Sequence, residues 1–298
     1  MNIFDLILVN PLLNVLVAIY QLLYSINIPS AVGFSIILLT IVIRFALYPF
    51  MHHSLKHQKK MQALMPEINK LKEKHKNDAK RMQVEQMALF KEHGLNPASG
   101  CLVMLIQLPI LIALYTVLLK VVHLKSTGEI NNLLYFDWLK LNHLWDPNFF
   151  GLSLAKTPAE LLPHVGIWIA LLTVLTGGLQ LIQSKMMMTP AAEKAKQPQQ
   201  KENDFATTFQ TQSMYMLPVM VGFFSYTLPF GLSLYWNTLT IFGIIQQYIV
   251  SGWGGLVDWF PFLAKKSEEK EVIALPEKVE KIKVEKKVKK AKSKSKKK

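Results

Sequence analysis

The chain has 298 residues, of which 51% are apolar, and it carries a formal net charge of +14. Global disorder needs low hydrophobicity and is therefore excluded, and the single cysteine excludes a disulfide scaffold and a cysteine-based structural zinc site. The apolar residues gather into blocks of about twenty, the length that crosses a bilayer. Most of the 34 Lys and Arg residues lie outside these blocks, which predicts a multi-span membrane protein with basic segments on one side.

Residues 1–30 are predicted to hold an interfacial amphipathic helix. They contain no Lys or Arg, and the polar residues Asn10, Asn14, Gln21 and Ser25 are spaced so that they share one helical stripe. A polar stripe on an otherwise apolar helix favours a position along the outer membrane interface. The alternative is that this helix is a sixth span.

Five apolar segments beyond residue 30 are predicted to cross the membrane as helices. They cover residues 31–50, 100–122, 163–183, 214–228 and 232–250, and Pro229-Phe230-Gly231 separates the last two as a tight turn. The predicted fold class is therefore an all-α integral membrane protein with a bundle of five transmembrane helices.

The distribution of basic residues predicts the orientation of the bundle, because Lys and Arg near span ends stay in the cytoplasm. Residues 51–98 hold ten, residues 184–213 hold four, and the chain from residue 251 onward holds fifteen. The segments on the other side hold none before residue 31 and three between residues 124 and 160. The N-terminus is thus expected outside and the C-terminus inside.

Two cytoplasmic segments are predicted. Residues 54–93 read as a helical hairpin, because Met61, Leu64, Met65, Ile68 and Leu71 recur at helical spacing and Gly94 is placed to end the second helix. The hairpin is either a solvated linker or a methionine-containing surface that contacts varied partners. Residues 265–298 hold fifteen Lys and six Glu and are expected to be a disordered basic tail that attracts anionic lipids or ribosomal RNA.

Arg44 is the one charge inside the first predicted span. Placing an ionised Arg there costs at least ~2.5–3.5 kcal/mol on insertion scales, so its presence suggests a function. Its side chain either extends to the inner headgroups or faces a water-filled cavity that attracts anionic groups. Thr40 lies one turn away on the same face. Other polar residues that could line such a cavity are Gln107, Gln183, Tyr235 and Trp236, although each alone is typical of interhelical hydrogen bonding.

Four ordered stretches resemble the YidC/Oxa/Alb membrane protein insertase family over residues 31–250. They are SIILLTIVIRFALYPF, MQALMPEINKLKEKHKND, MALFKEHGLNPASGCLVMLIQLPILIALY and GLSLYWNTLTIFGIIQQ. The resemblance implies a hydrophilic groove that is closed outside, with Arg44 as its charge and Thr40 and Trp236 in its lining; Gln183 matches less closely. Trp236 replaces the Tyr of other members. The chain has no counterpart of the large extracytoplasmic domain of some bacterial members, so functions of that domain are not expected.

The resemblance implies a bacterial inner-membrane insertase and chaperone that works without ATP, cofactor or metal and is not an enzyme. Its expected partners are nascent membrane proteins, the ribosome through the basic tail, anionic lipids and, as a further candidate, a Sec translocon. A metalloenzyme built on His52, His53 and His57 is the weaker alternative, because membrane di-iron enzymes need several such histidine motifs. A solute or ion transporter using Arg44 is the stronger one, although the sequence has no inverted repeat typical of transporters.

Overall fold

The structure is a computed structural model that describes residues 2–75, 78–96, 99–122, 126–188 and 205–263. The predicted basic tail at 265–298 lies outside the described residues. The helices in chain order are α1 Asn10–Ser25, α2 Ala31–Ala46, α3 Tyr48–Lys74, α4 Ala79–Glu92, α5 Ser99–Val122, α6 Thr127–Asn131, α7 Pro158–Val165, α8 Ile167–Met186, α9 Phe205–Thr227 and α10 Phe230–Ser251. A π-helical turn, Asp5–Val9, leads into α1, and a small antiparallel hairpin pairs β1 Asn148–Phe149 with β2 Leu152–Ser153. The all-α prediction is confirmed, with this hairpin as an addition.

Three helical segments of the described chain are long and apolar enough to cross a membrane, namely Asp5–Ser25, Leu105–Val122 and Ile167–Met186. A fourth is reached if α2 and α3 are taken together as one bent span, and Met214–Thr227 is a shorter apolar helix. These segments fit an all-α membrane protein. The count of five spans and the outside position of the N-terminus stay predictions.

The first predicted span is divided by a sharp bend. Helix α2 ends at Ala46 rather than at Phe50, and α3 begins at Tyr48 with its axis turned by 64°. Pro49 lies in the first turn of α3. If α2 continued past it, the proline would have no N–H for the helical hydrogen bond and its ring would clash with the carbonyl four residues earlier. The proline therefore starts a new helix at the point where the sequence predicted a continuous one.

The predicted third span is also shortened at its start. Helix α8 begins at Ile167 rather than at Pro163, because Gly166 adopts a φ of +77° and separates α8 from the short helix α7. Only glycine adopts this conformation readily. The turn before the last span is shorter than predicted, because α10 begins at Phe230, directly after Pro229.

The polar stripe of the N-terminal helix faces the protein. Asn14 Nδ2 donates to the Leu133 carbonyl at 3.0 Å, its Oδ1 accepts from the Tyr135 N–H at 2.7 Å, and Gln21 Nε2 donates to the Leu139 carbonyl at 2.7 Å. Asn14 and Gln21 therefore have partners within the protein, so the polar stripe does not by itself require contact with headgroups. The segment is long enough to cross the membrane, and its interfacial position remains a prediction.

The hairpin between α2 and α5 has a small core of its own. Leu64 and Ile68 of α3 pack against Phe90 and Leu95, with Met61, Met65 and Leu89 at the edge. The apolar stripe predicted on the first arm is thus largely covered by the second arm. Gly94, with a φ of +62°, ends α4 as predicted, and the Asp78 carboxylate caps its start by accepting the Arg81 N–H.

The main core lies where α1, α2, α5 and α10 meet. Its fully buried members include Leu13, Val17, Leu39, Val117 and Tyr235. At one end of this core, the turn before α10 is tied to the segment 154–156 by backbone hydrogen bonds, from Phe230 N–H to the Lys156 carbonyl and from Gly231 N–H to the Leu154 carbonyl. This packing fixes α10 as the central helix, with α2 and α5 on one side and α8 and α9 on the other.

Candidate functional site

Arg44 lies inside the bundle. It is 5% exposed, and Thr40, one turn earlier on α2, is fully buried with its Oγ1 donating to the Ile36 carbonyl at 2.7 Å. The four-residue spacing places both side chains on the face of α2 that packs against α10. The alternative in which the guanidinium extends to the headgroups does not fit this burial.

Arg44 and Gln183 meet at Gly243. Arg44 Nη2 donates to the Leu239 carbonyl of α10 at 3.1 Å. A Cβ added to Gly243, one turn further along, would lie 2.3 Å from Gln183 Nε2 and 3.6 Å from Arg44 Nη2. Because Gly243 has no side chain, the polar groups of Arg44 and Gln183 have room to approach the backbone of α10.

A line of polar residues extends from this point along the interface of α8 with α10. Thr240 Oγ1 donates to Gln180 Oε1 at 3.4 Å. Further along, Ser225 Oγ of α9 bonds Thr176 Oγ1 at 3.2 Å and Ser233 Oγ at 2.9 Å. The positions are spaced by four and three residues on α8 and by seven and three residues on α10, which puts each set on one helix stripe. The bundle thus holds a partly buried line of polar residues with Arg44 at one end. We call it the polar seam, and it comprises Arg44, Gln183, Gln180, Thr240, Thr176, Ser225 and Ser233.

Arg44 has hydrogen-bonding capacity that the described protein does not use. Its Nε is buried without a hydrogen-bond partner. None of the ion pairs among the described residues joins Arg44 to a carboxylate. A buried guanidinium has five N–H groups and needs partners for them. The Arg44 Nε–H is therefore a donor that no described residue of the chain uses.

Gln107 and Tyr235 form an interhelical pair between α5 and α10. Gln107 Nε2 of α5 donates to the Tyr235 hydroxyl at 2.8 Å, and Tyr235 is 2% exposed. This contact joins α5 to α10 and leaves the Tyr235 hydroxyl with an interhelical partner. Of the six predicted site residues, these two are hydrogen-bonded to each other rather than to Arg44 or Gln183.

Trp236 occupies an edge of the polar seam. It shares a helical stripe with Thr240 and Gly243, and it lines a recess between α9 and α10 together with Phe224, Ser225, Leu228, Leu232 and Ser233. Gly243 and Thr240 were not singled out from the sequence. The spacing of Trp236, Thr240, Gly243 and Gln247, in steps of four, three and four, was the signal that could have identified them.

The histidines at the start of α3 make other contacts. Among the described residues, no group of three His, Cys, Asp or Glu side chains is placed to hold a metal ion. The His52 ring stacks on Tyr48, and His57 Nε2 accepts the Asn96 N–H at 3.2 Å. Partial burial and the neighbouring His53 and Lys60 lower the pKa of His57. These contacts give His57 a role in closing the base of the hairpin.

Comparison with known proteins matches the family model described as "60Kd inner membrane protein" over residues 13–254. A protein of Fusobacterium nucleatum named membrane protein insertase YidC is 34% identical over 218 residues, which are 73% of this chain and 85% of that protein. Proteins of the same name from Granulibacter bethesdensis and Pelagibacter ubique are 32% and 35% identical over 237 and 222 residues. These are 78% and 73% of this chain. The matches span 36% and 35% of those two longer proteins.

Proposed function

Because this chain belongs to the YidC/Oxa/Alb family, of which it is a multi-pass, all-α member, we propose that it inserts newly made proteins into the bacterial inner membrane. The observation that carries the proposal is the buried Arg44, whose Nε has no hydrogen-bond partner within the described chain. The polar seam that starts at Arg44 is the proposed route for the polar end of a client.

The first step is capture of a client by the polar seam. A client must move a polar or acidic tail across hydrocarbon, where each unsatisfied backbone group costs several kcal/mol. Arg44 would offer charge-assisted hydrogen bonds to carboxylates of that tail, and the amides of Gln180 and Gln183 would bind its backbone groups. These contacts replace hydrogen bonds to water over part of the path, so the tail has a shorter distance to cross without hydrogen-bond partners.

Burial of the client's own apolar segment would drive the second step. Transfer from water to lipid yields about 25 cal/mol per Å² of apolar surface, which over a whole spanning helix exceeds the cost of moving a short tail. The client then leaves the seam because lipid is the better environment for its apolar side chains. The reaction as proposed needs no ATP.

Two further segments would assist insertion because of where they lie in the chain. The α3–α4 hairpin begins directly after α2, so a client held by the hairpin is close to Arg44. The basic tail at 265–298 would attract the ribosome through phosphate charge or bind anionic lipid, and a Sec translocon is a further proposed partner. These roles rest on charge and on the family relationship.

The test is an insertion assay with the full chain in lipid vesicles and a single-span client whose outer tail is acidic. Arg44→Ala should slow insertion of this client by about ten- to hundredfold, the equivalent of losing about 1.5–3 kcal/mol of hydrogen bonding to a charged group. Lys140→Ala, which removes one positive charge from an exposed position outside the hairpin and the polar seam, is the matched control and should have no effect.

A second client tests whether Arg44 recognises the negative charge of the tail. When the tail carboxylates are replaced by amides, the difference between wild type and Arg44→Ala should shrink. Equal insertion of the acidic client by both proteins would overturn the role of Arg44. Uptake of small solutes by the same vesicles, without insertion, would favour the transporter alternative.

A further inference from the structure

The segment after α10 carries an exposed aromatic cluster. It consists of two short 3-10 helices, Gly254–Asp258 and Pro261–Leu263. Trp259, Phe260 and Phe262 are 41%, 45% and 74% exposed, and the rings of Phe260 and Phe262 are 5.9 Å apart. We call these three residues the aromatic cluster.

The cluster is fixed to the end of α8. The Gly255 N–H donates to the Met188 carbonyl at 2.7 Å. Lys185 Nζ pairs with Asp258 Oδ2 at 3.1 Å and lies 5.4 Å from the centre of the Trp259 ring. Gly254, at a φ of +50°, lies so close to the Met186 carbonyl that a Cβ would come within 1.9 Å of it. An ion pair and backbone contacts thus hold three aromatic side chains in one place.

This place is the end of the bundle that carries the hairpin. Gln62 of α3 donates to the Met187 carbonyl, and Gln246 near the end of α10 approaches the Tyr48 carbonyl at the start of α3. The apolar helices α8 and α10 both end here, at Met186 and Ser251. A boundary between apolar helix ends and polar chain is where aromatic residues are enriched in membrane proteins.

The charge of the segment that follows the aromatic cluster indicates the kind of surface that the cluster contacts. Lys265 and Lys266 follow the cluster directly, and residues 265–298 carry fifteen Lys against six Glu. An exposed apolar group beside a lysine-rich segment is the pairing that binds anionic bilayers stably, because either signal alone gives only marginal binding.

We propose that Trp259, Phe260 and Phe262 form an interfacial anchor that inserts among the headgroups of the leaflet on the hairpin side and holds the lysine-rich tail against anionic lipid. The inference goes beyond the proposed function. It depends on the family's placement in a membrane and does not require that the chain insert clients. Its consequence is that the tail starts at the membrane surface, beside the end of α8.

The test measures membrane depth with a fluorescent label on the full chain in vesicles. Cys101 is the only cysteine, so Cys101→Ser followed by Phe262→Cys gives a single labelling site in the cluster. Val219→Cys, at a position of α9 that is 72% exposed, is the lipid-facing reference. Glu73→Cys, at an exposed position near the tip of the hairpin, is the reference in water.

The fluorescence of the label is measured in vesicles whose lipids carry a nitroxide quencher just below the headgroups. The vesicles are prepared with and without phosphatidylglycerol. The fluorescence of the label at position 262 should be lost nearly as strongly as at position 219, while position 73 is unaffected. Adding phosphatidylglycerol should deepen the loss at position 262 only. Fluorescence at position 262 that follows position 73 would overturn the proposal and would favour a protein or RNA partner for the cluster.

Since no client is present, this result stands apart from the insertion assay. Loss of insertion in Arg44→Ala tests the polar seam, and depth at position 262 tests the anchor. Either proposal can fail while the other holds.

Discussion

Replacing Gly243 by Ala is expected to disturb the contact between α8 and α10 while leaving the fold intact. A Cβ at this position would lie 2.3 Å from Gln183 Nε2, where ordinary contact begins at 3.4 Å. The amide must therefore move by about 1 Å, since repulsion is steep at this range. Arg44 Nη2, at 3.6 Å from the same point, is already at ordinary contact distance and is not forced to move.

The size of the effect follows from two opposing contributions. Overpacking of a buried site costs about 1–3 kcal/mol. Alanine in place of glycine within a helix contributes about 0.8–1.0 kcal/mol in the other direction. The variant should therefore lose about 0–2 kcal/mol. When Gln183→Ala has already removed the amide, the same change should be neutral or stabilising by about 1 kcal/mol.

A double-mutant cycle on Gly243 and Gln183 measures this coupling by thermal unfolding in detergent micelles. The expected interaction between the two changes is about 1–3 kcal/mol. Gly178→Ala is the matched control, because a Cβ on that residue of α8 would meet nothing within 4 Å. The control should keep its stability or gain slightly, and it should insert clients as wild type does.

Two outcomes would refute the reasoning. Additive effects of Gly243→Ala and Gln183→Ala on the unfolding temperature would mean that the two residues do not touch. Unchanged insertion of an acidic client by a folded Gly243→Ala protein, at a client concentration where Arg44→Ala is impaired, would mean that Gly243 is not part of the client's path.

Three further predictions concern other contacts of the protein. Gln107→Leu and Tyr235→Phe should each cost about 0.5–1.5 kcal/mol and should cost little more together, because they share one hydrogen bond; thermal unfolding of the double variant checks this, and full additivity contradicts it. The Glu85 carboxylate lies 2.9 Å from His75 Nε2, and this contact lowers the pKa of the Glu85 carboxyl, so its contribution is present above its ordinary pKa of 4.5 and is lost as the pH falls through the lowered pKa. Hydrogen exchange of α4 should accelerate over that range in wild type more than in Glu85→Gln, and equal pH profiles would contradict the contact. Asp258→Asn should weaken the ion pair at the end of α8 by on the order of 1 kcal/mol and raise hydrogen exchange at 254–258, whereas unaltered exchange would show that the backbone contacts suffice.

Local patterns predicted the parts of the fold that depend on short-range chemistry. The four-residue spacing of Thr40 and Arg44 placed both on one face, and Gly94 marked the end of α4 through its positive φ. Both features depend on neighbours within one helical turn. The family resemblance, quoted from residues 31–250, agrees with the match over residues 13–254.

Features that depend on distant partners were not predictable in this way. The stripe that includes Asn14 looks the same whether it faces headgroups or a backbone carbonyl more than a hundred residues away. Hydropathy alone also extended two spans, because a window average does not register that Pro49 or Gly166 ends a helix. Gly243 was missed for a related reason, since a glycine's importance depends on what lies opposite.

The bend between α2 and α3 means that a small rotation at Leu47 would displace the far end of the hairpin by a larger distance. Arg44 lies on the short arm within the packed bundle, whereas α3 extends for 27 residues beyond the joint, which is roughly 40 Å at ~1.5 Å per residue. A swing of about 10° at Leu47 would carry the far end of that arm through roughly 7 Å, given this length. Gln62, about halfway along this arm, donates to the Met187 carbonyl at the end of α8, so a swing of this kind has to break that contact first.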